Sequence, residues 1–313
     1  MSSVVSRRSL LAAGGALLAG GFAHADPAPP PKLKIAIFSK HLQFVQGDEL
    51  AAAAASIGFD GIDITVRKGG HVAPERVRQD LPPLVAIVRK HGLEVPMITA
   101  DIVDAETPNA EEILHAISEV GIRRYRWGGF TYNDREPYPV QLDRMKTRIA
   151  KLAALNARYQ ACAMYHTHSG KDVGAPIWDL YILLKDFDPN AVGINYDIGH
   201  ATIEGGLGGW IDSFRICGPH LRGIAAKDFI WTKGAKGWQT EWVPLGEGMV
   251  KFPEFFGMVA HSGFDGPLQL HFEYSLGGAG AGKREITIPK QEVYAAMKRD
   301  LTKLRGFVTQ AGL

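Results

Sequence analysis

The sequence predicts a single closed (β/α)8 barrel, the α/β architecture called a TIM barrel. Short apolar strands alternate with helical stretches along nearly the whole chain, at a spacing of roughly 30 to 45 residues. Within several strands polar residues alternate with apolar ones, as they do when one face packs on helices and the other faces a barrel interior. An open doubly wound sheet is the competing architecture, but no G-x-G-x-x-G motif follows the first strand.

The junctions between helices and strands share one pattern, in which a helix ends at glycine and an apolar residue leads into the next strand. Glycine just past a helix readily adopts the left-handed conformation that ends the helix, which explains its recurrence. The pattern occurs at Ser56-Ile57-Gly58-Phe59, His91-Gly92-Leu93, Val120-Gly121-Ile122 and Ser262-Gly263-Phe264.

These junctions and the apolar runs set the predicted elements in order. Strands are predicted to begin near Leu33, Ile62, Glu94, Ile122, Ala161, Val192, Arg222 and Leu268. Helices are predicted over 48–56, 74–90, 110–120, 143–156, 177–184, 209–216, 253–261 and 290–307. The longest irregular segment, 229–250, follows the seventh strand and carries Trp231, Trp238 and Trp242. In a barrel this loop lies at the catalytic mouth, where its tryptophans would either stack on sugar rings or pack within the loop.

The first 25 residues have the features of an export signal rather than of the fold. Arg7 and Arg8 form a twin-arginine pair, a short apolar run follows, and Ala23-His24-Ala25 fits a cleavage site. We predict a twin-arginine signal peptide over 1–25, a Pro-rich leader over 26–31 and the barrel over 32–313, hence a periplasmic or secreted protein. The apolar run is short and rich in glycine, so we expect no stable membrane anchor after cleavage, although an N-terminal anchor is the alternative.

Charge and cysteine content narrow the range of partners. The formal net charge is +2, and removing Arg7 and Arg8 leaves 33 basic and 33 acidic residues. A neutral chain gives no support for binding nucleic acid or an anionic membrane. Cys162 and Cys217 are the two cysteines, and we expect no disulfide between them because Cys162 falls in a predicted core strand.

Polar residues collect on the inward faces of the predicted strands. Burying so many charged groups without partners would cost several kcal/mol each, so they need one another, a substrate, a metal or water. The inward set is Asp63, Arg67, His166, His168, Asp197, Lys227, His271 and Glu273. A structural role is the alternative for some of them: Asp197 could cap the next helix, and Lys227 could pair with Asp228.

Histidine and carboxylate side chains from three strand ends suit a divalent metal. Imidazole nitrogen and carboxylate oxygen bind Mn, Zn, Fe or Co, whereas a structural zinc site usually uses thiolates. We therefore predict His166, Asp197 and Glu273 as metal ligands, with His200, three residues after Asp197, close to the same site.

Six short motifs give the chain a resemblance to the xylose isomerase-like TIM barrel superfamily, which is described as sugar phosphate isomerases and epimerases. The motifs are Gly58-Phe59-Asp60-Gly61-Ile62-Asp63, Tyr165-His166-Thr167-His168, Asp197-Ile198-Gly199-His200, Lys227-Asp228, Pro244-Leu245-Gly246-Glu247-Gly248 and Glu273-Tyr274. Members include hydroxypyruvate isomerase, ketohexose 3-epimerases, inosose dehydratase and endonuclease IV.

The resemblance implies one divalent metal (Mn, Zn, Fe, Co or Mg), held by Glu, Asp, His and Glu on strands five to eight. Asp197 and Glu273 match the second and fourth ligands, and His200 matches a histidine that contacts substrate. His166 stands where many members have Glu, as histidines also do in the inosose dehydratase branch. Ala225 stands where the family has its strand-seven His, so either His166 or His271 completes the set or the metal is lost.

The reaction implied is proton transfer next to a carbonyl through an enediolate, in a keto-sugar or polyol. Glu273, His166 or His168 would move the proton, and Lys227 would stabilise the oxyanion. The partner implied is a small-molecule sugar or polyol substrate, bound by Arg67, Asp63, His200 and His271. The alternatives are an inosose dehydratase-like lyase acting by β-elimination and a non-catalytic sugar-binding barrel. A phosphodiesterase akin to endonuclease IV is disfavoured by the neutral charge.

Overall fold

A computed structural model describes residues 33–313 and confirms the closed barrel. Seven of its parallel strands come first in the chain: β1 (Ile35–Phe38), β2 (Gly61–Val66), β3 (Ile98–Ala100), β4 (Arg124–Trp127), β5 (Cys162–His166), β6 (Val192–Asp197) and β7 (Leu221–Ala226). Two strands of a separate hairpin follow, β8 (Asp228–Gly234) and β9 (Gly237–Val243). The eighth barrel strand is β10 (Leu268–Leu270). The ring closes because β10 pairs with both β7 and β1. The first seven barrel strands pair in chain order, so the carboxyl ends of all eight meet at one mouth.

The helices of the barrel include one at each predicted position. They are α1 (Gly47–Ile57), α2 (Val77–Lys90), α3 (Ala110–Glu119), α4 (Tyr138–Arg158), α5 (Trp178–Leu184), α6 (Ile198–Gly205), α7 (Gly209–Cys217), α8 (Phe252–Ala260) and α9 (Lys290–Gln310). The unpredicted helix is α6, which begins directly after β6 because the Asp197 carboxylate accepts a hydrogen bond from the backbone N–H of His200. At the end of α1, Gly58 has φ of 104°, as the helix–glycine pattern predicts.

Two separate apolar clusters show that the strands have the predicted alternation. Ile62, Ile64 and Val66 of β2 belong to the large core that also includes residues of every long helix. Inside the barrel, Met97, Cys162 and Met164 form a small cluster of their own. Cys162 and Cys217 are both buried free thiols.

The segment 229–250 contains a β-hairpin, so the prediction of an irregular loop was wrong for most of its length. β8 and β9 pair from Asp228 with Val243 to Gly234 with Gly237, which leaves a two-residue turn. Gly237 has φ of 101°, a conformation that favours glycine at this tight turn. The side chains of Trp231 and Trp238 are exposed on the hairpin.

Asp228 holds the rest of this segment to the barrel. Its buried carboxylate accepts backbone N–H groups of Gly246, Gly248 and Val250 at 2.9 to 3.1 Å. A Cβ on Gly248 would lie 2.3 Å from an Asp228 oxygen, so glycine is required for this approach. The carboxylate therefore organises the loop rather than pairing with Lys227, whose ion pair is with Asp197.

The predicted signal peptide (1–25) and Pro-rich leader (26–31) lie outside the described residues. Within 33–313, no helix combines the length and apolar character needed to cross a bilayer.

We expect Asp228→Ala to lower the free energy of unfolding by about 2–4 kcal/mol, because it leaves several buried N–H groups without an acceptor. Urea unfolding followed by circular dichroism measures the change. Asp143→Ala removes an exposed carboxylate on α4 and serves as the control. Equal stability of the two variants would contradict the role of Asp228 in holding the loop.

Candidate active site

Most of the polar residues predicted to face inward converge at the carboxyl ends of β5, β6, β7 and β10. A cavity of ≈ 220 Å³ opens there, and its polar wall includes Arg67, His166, His168, His200, Lys227 and Glu273. Three further polar side chains lie on or below this wall: Lys40 and Arg126 line the cavity, and Asp197 is fully buried beside His166. The mouth of the barrel thus carries a site rich in cations and imidazoles.

Three buried side chains form a candidate metal cluster. One donor atom from each of His166, Asp197 and His271 lies within 4.8 Å of the others. Glu273, the ligand predicted from the sequence, is outside this set, and His271, predicted to bind substrate, is inside it. Ala225 pairs with Asp197 in the neighbouring strand and supplies no donor.

Asp197 is the most constrained acid of the site. One oxygen accepts the His200 backbone N–H at 3.0 Å, while the other lies 3.3 Å from Lys227 Nζ and 3.5 Å from His166 Nε2. Burial raises the pKa of Asp197, and the Lys227 ammonium opposes that rise. The carboxylate is therefore stabilised mainly by one buried cation.

Lys227 also fixes the tautomer of His200. The ammonium can donate hydrogen bonds but cannot accept them, and it donates to His200 Nε2 at 2.8 Å. His200 Nε2 is consequently unprotonated, and its Nδ1–H faces Ser169 Oγ at 2.9 Å. Burial, followed by the charge of Lys227, lowers the pKa of His200 to about 2, so the ring is neutral. The Lys227 ammonium also lies 4.1 Å from the centre of the Trp242 ring, which covers it.

Arg126 fixes His168 in the same way. Its guanidinium donates to His168 Nε2 at 3.3 Å, which leaves the proton of the neutral ring on Nδ1. Burial, followed by the Arg126 charge, lowers the pKa of His168 to about 3.

The two cluster histidines are linked beneath the cavity by a pair of amides. His271 Nε2 donates to Gln269 Oε1 at 3.3 Å, and Asn195 Nδ2 donates to the same oxygen at 3.2 Å and to His166 Nδ1 at 3.1 Å. This arrangement leaves the lone pair on His271 Nδ1, which is buried without a partner among the described residues. The His166 and His271 rings stack at 5.5 Å, and burial lowers the pKa of both well below the usual value.

Glu273 lies on the cavity wall as an ionised carboxylate. Both oxygens accept from Lys40 Nζ at 3.2 Å, and His271 Nδ1 is 4.0 Å away. Burial by itself raises the pKa of Glu273, but Lys227, His41 and Lys40 outweigh it and lower the pKa to about 2.

Asp63, predicted to bind substrate, is fully buried inside the barrel. Thr99 Oγ1 donates to one of its oxygens at 2.8 Å, and the other has no partner within the described residues. Burial raises the pKa of Asp63 to about 7, against the hydrogen bond from Thr99 and the charges of Arg126 and Arg67. Asp63 therefore does not line the cavity but lies buried near the guanidiniums of Arg67 and Arg126.

The cluster has features that suit a divalent cation. His271 Nδ1 is a buried atom without a hydrogen-bond partner in 33–313, which is unusual unless a ligand satisfies it, and Asp197 Oδ2 beside it has the Lys227 ammonium 3.3 Å away as its main partner. His166 Nε2 would join them if Asn195 turned its amide oxygen, now also unpaired, toward Nδ1. Two imidazoles and one carboxylate are a donor set known from catalytic iron and zinc sites.

Sequence reasoning missed Arg126 and Lys40. Arg126 had a signal, because Arg124 and Arg126 alternate with the buried Tyr125 and Trp127 in β4. Lys40 had none, since it lies in the short 3-10 turn that follows β1.

The barrel and its polar mouth define a TIM-barrel protein with a candidate metal site. The family model described as xylose isomerase-like TIM barrel matches residues 51–291, and the chain belongs to this family.

Solved structures with the same fold include sugar-converting enzymes. A xylose isomerase domain protein from Planctomyces limnophilus is 18% identical with a TM-score of 0.62, covering 89% of this chain and 99% of its own. A D-psicose 3-epimerase is 14% identical with a TM-score of 0.64 and coverages of 88% and 99%. A probable 3-DHS dehydratase from Bacillus anthracis is 18% identical with a TM-score of 0.65 and coverages of 86% and 99%. No curated protein sequence matches the chain significantly.

We expect Lys227→Met to destabilise the protein by about 3–5 kcal/mol, because it leaves the Asp197 charge buried without its cation. Loss of the ammonium raises the pKa of Asp197 further, and a group whose pKa is raised by folding loses its stabilising contribution as pH rises. The destabilisation should therefore be larger at about pH 8 than at about pH 5.

Thermal unfolding of Lys227→Met, Asp197→Asn and the double variant measures this dependence. The double variant should be less destabilised than the sum of the single variants, since neutral Asn needs no cation. Lys236→Met, at the exposed hairpin turn, is the control. Additive effects independent of pH would rule out the charge pairing.

Proposed function

We propose that the protein is an exported, metal-dependent sugar isomerase or epimerase that moves a proton next to the carbonyl of a keto-sugar or polyol-derived ketone. The observation that carries the proposal is that an ionised Glu273, the Lys227 ammonium and His166 line one cavity, and that His166 belongs to the buried cluster with Asp197 and His271. Membership of the family and the epimerase-like neighbours support the same class of reaction. Export rests on the twin-arginine pattern.

His166, Asp197 and His271 would hold the metal. A divalent cation at this position would act as a Lewis acid toward substrate oxygens.

Glu273 is our proposed proton acceptor. Its carboxylate is ionised at neutral pH and lines the cavity, so a substrate C–H could lie against it. In the free protein Lys40 and Lys227 make it a weak base. A substrate hydroxyl that takes hydrogen bonds from Lys40 would weaken this pairing and raise the basicity of Glu273.

Lys227 is our proposed donor to the oxygen that becomes negative in the enediolate. Its ammonium is already oriented by Asp197 and His200 and needs little reorganisation when the charge develops. Trp242 covers the ammonium and limits access of water to it.

A lyase is the second candidate, and one feature favours it. Glu273 is the one carboxylate lining the cavity within the described residues, where a symmetric epimerisation would use two opposed groups. β-Elimination can use one acid–base group: Glu273 would take the α-proton and return it to the leaving hydroxyl, which departs as water, while the neutral His168 ring donates a hydrogen bond from Nδ1–H to that oxygen.

We expect His271→Ala and Asp197→Asn each to weaken Mn²⁺ or Zn²⁺ binding by about a hundredfold or more. The loss should be this large because removing a direct ligand costs more affinity than removing a residue that only hydrogen-bonds to a ligand. Glu273→Gln should retain the metal. Isothermal titration of chelator-treated protein measures the affinities. Metal loss in Glu273→Gln with retention in His271→Ala would move the site to the Glu273 position predicted from the sequence.

We expect the metal-loaded protein to exchange the α-proton of a ketose in deuterated water, and Glu273→Gln to slow exchange by about 100- to 10,000-fold. Proton NMR of a ketose panel follows the loss of signal, and a new product identifies isomerisation or elimination. Exchange at the wild-type rate in Glu273→Gln would remove this residue as base. Complete absence of exchange across the panel would favour a sugar-binding barrel.

A further inference from the structure

The cations of the cavity fall into two groups. Lys40 is paired with Glu273, and Lys227 is paired with Asp197. The guanidiniums of Arg67 and Arg126 line the same cavity, and within 33–313 neither is in a salt bridge.

The two unpaired guanidiniums are neighbours of the same aromatic ring. Each lies 5.5 Å from the centre of the Phe38 ring, so this ring helps to orient both. Arg126 is further held by its hydrogen bond to His168. Both side chains are only partly exposed. Two neighbouring positive charges in a partly buried wall repel each other, and an anion between them would remove that cost.

The protein offers little negative charge to offset them. Asp63 is the acid that acts most strongly on Arg126, but it lies beneath the wall and already accepts from Thr99. Burial raises its pKa to about 7, so it is only partly ionised at neutral pH. Glu273 is held by Lys40 on both of its oxygens.

We propose that Arg67 and Arg126 form an anion subsite, and that the substrate is an acidic sugar whose carboxylate or phosphate binds between them. This inference rests on the proposed function for the reacting end of the molecule, and it adds the chemical class of the other end. Guanidinium groups match both anions because their planar N–H groups donate in pairs to two oxygens. The subsite shares one cavity with Glu273 and Lys227, so a single sugar can contact both regions.

Three probes that differ only at C6 test the subsite by binding rather than turnover: D-fructose, D-fructuronate and D-fructose 6-phosphate. Isothermal titration should show at least about tenfold tighter binding of one or both acidic sugars, as expected for charge-assisted hydrogen bonds. The preferred acidic probe identifies carboxylate or phosphate as the anion.

Arg67→Met and Arg126→Met should each remove most of this preference, measured as the ratio of acidic-probe affinity to D-fructose affinity in the same variant. Lys236→Met is the matched control, since it removes an exposed positive charge far along the hairpin. Circular dichroism checks folding, and Arg126→Lys keeps the charge without the paired donors. Partial retention of the preference in that variant supports the assignment even if Arg126→Met fails to fold.

Equal affinity for all three probes, or a preference that survives in both Met variants, would overturn the subsite. Tight binding of an acidic probe without α-proton exchange would support the subsite and contradict the proposed reaction. The two proposals therefore fail separately.

Discussion

The mouth of this barrel depends on the Asp197 carboxylate. Asp197 is the last residue of β6, it starts α6 through the His200 backbone N–H, and it holds the Lys227 ammonium. Its backbone N–H donates to Thr167 Oγ1, which ties the ends of β5 and β6 together. The capping role considered from the sequence and the role in the site are therefore compatible. One oxygen makes the cap, and the other faces the cluster.

Much of the fold could be predicted because strand alternation and glycine junctions are local. The hairpin was missed even though its signal was local as well, since Gly234 and Gly237 flank a two-residue turn. The expectation of a long loop at a barrel mouth outweighed that pattern. Arg126 was missed because β4 has four residues, Arg124–Trp127. Its alternation of two arginines with two buried aromatic residues is therefore too short to stand out in the sequence.

The candidate metal ligands could not be chosen from alternation. His271 and Glu273 are two residues apart and share a face, so a period of two treats them alike. Strand register separates the two residues by their position along the barrel axis. Leu270 pairs with Ala226 and Ile37, which puts His271 one residue beyond the paired region and Glu273 three beyond it. His271 therefore lies at the level of His166 and Asp197, whereas Glu273 lies at the level of Lys40.

A histidine at position 166, where the family resemblance implies a glutamate, changes the charge of the site as well as its candidate ligands. His166 is a buried neutral imidazole, so the acids that face the four cavity cations are Asp197 and Glu273, with Asp63 below. A divalent cation would add positive charge to a wall that already has an excess of it. An anionic substrate group would offset that excess, and by thermodynamic reciprocity the metal and the anion would each strengthen binding of the other. On this electrostatic ground the proposed metal cluster and the proposed arginine subsite would form one site, in which neither ligand would bind at full strength alone.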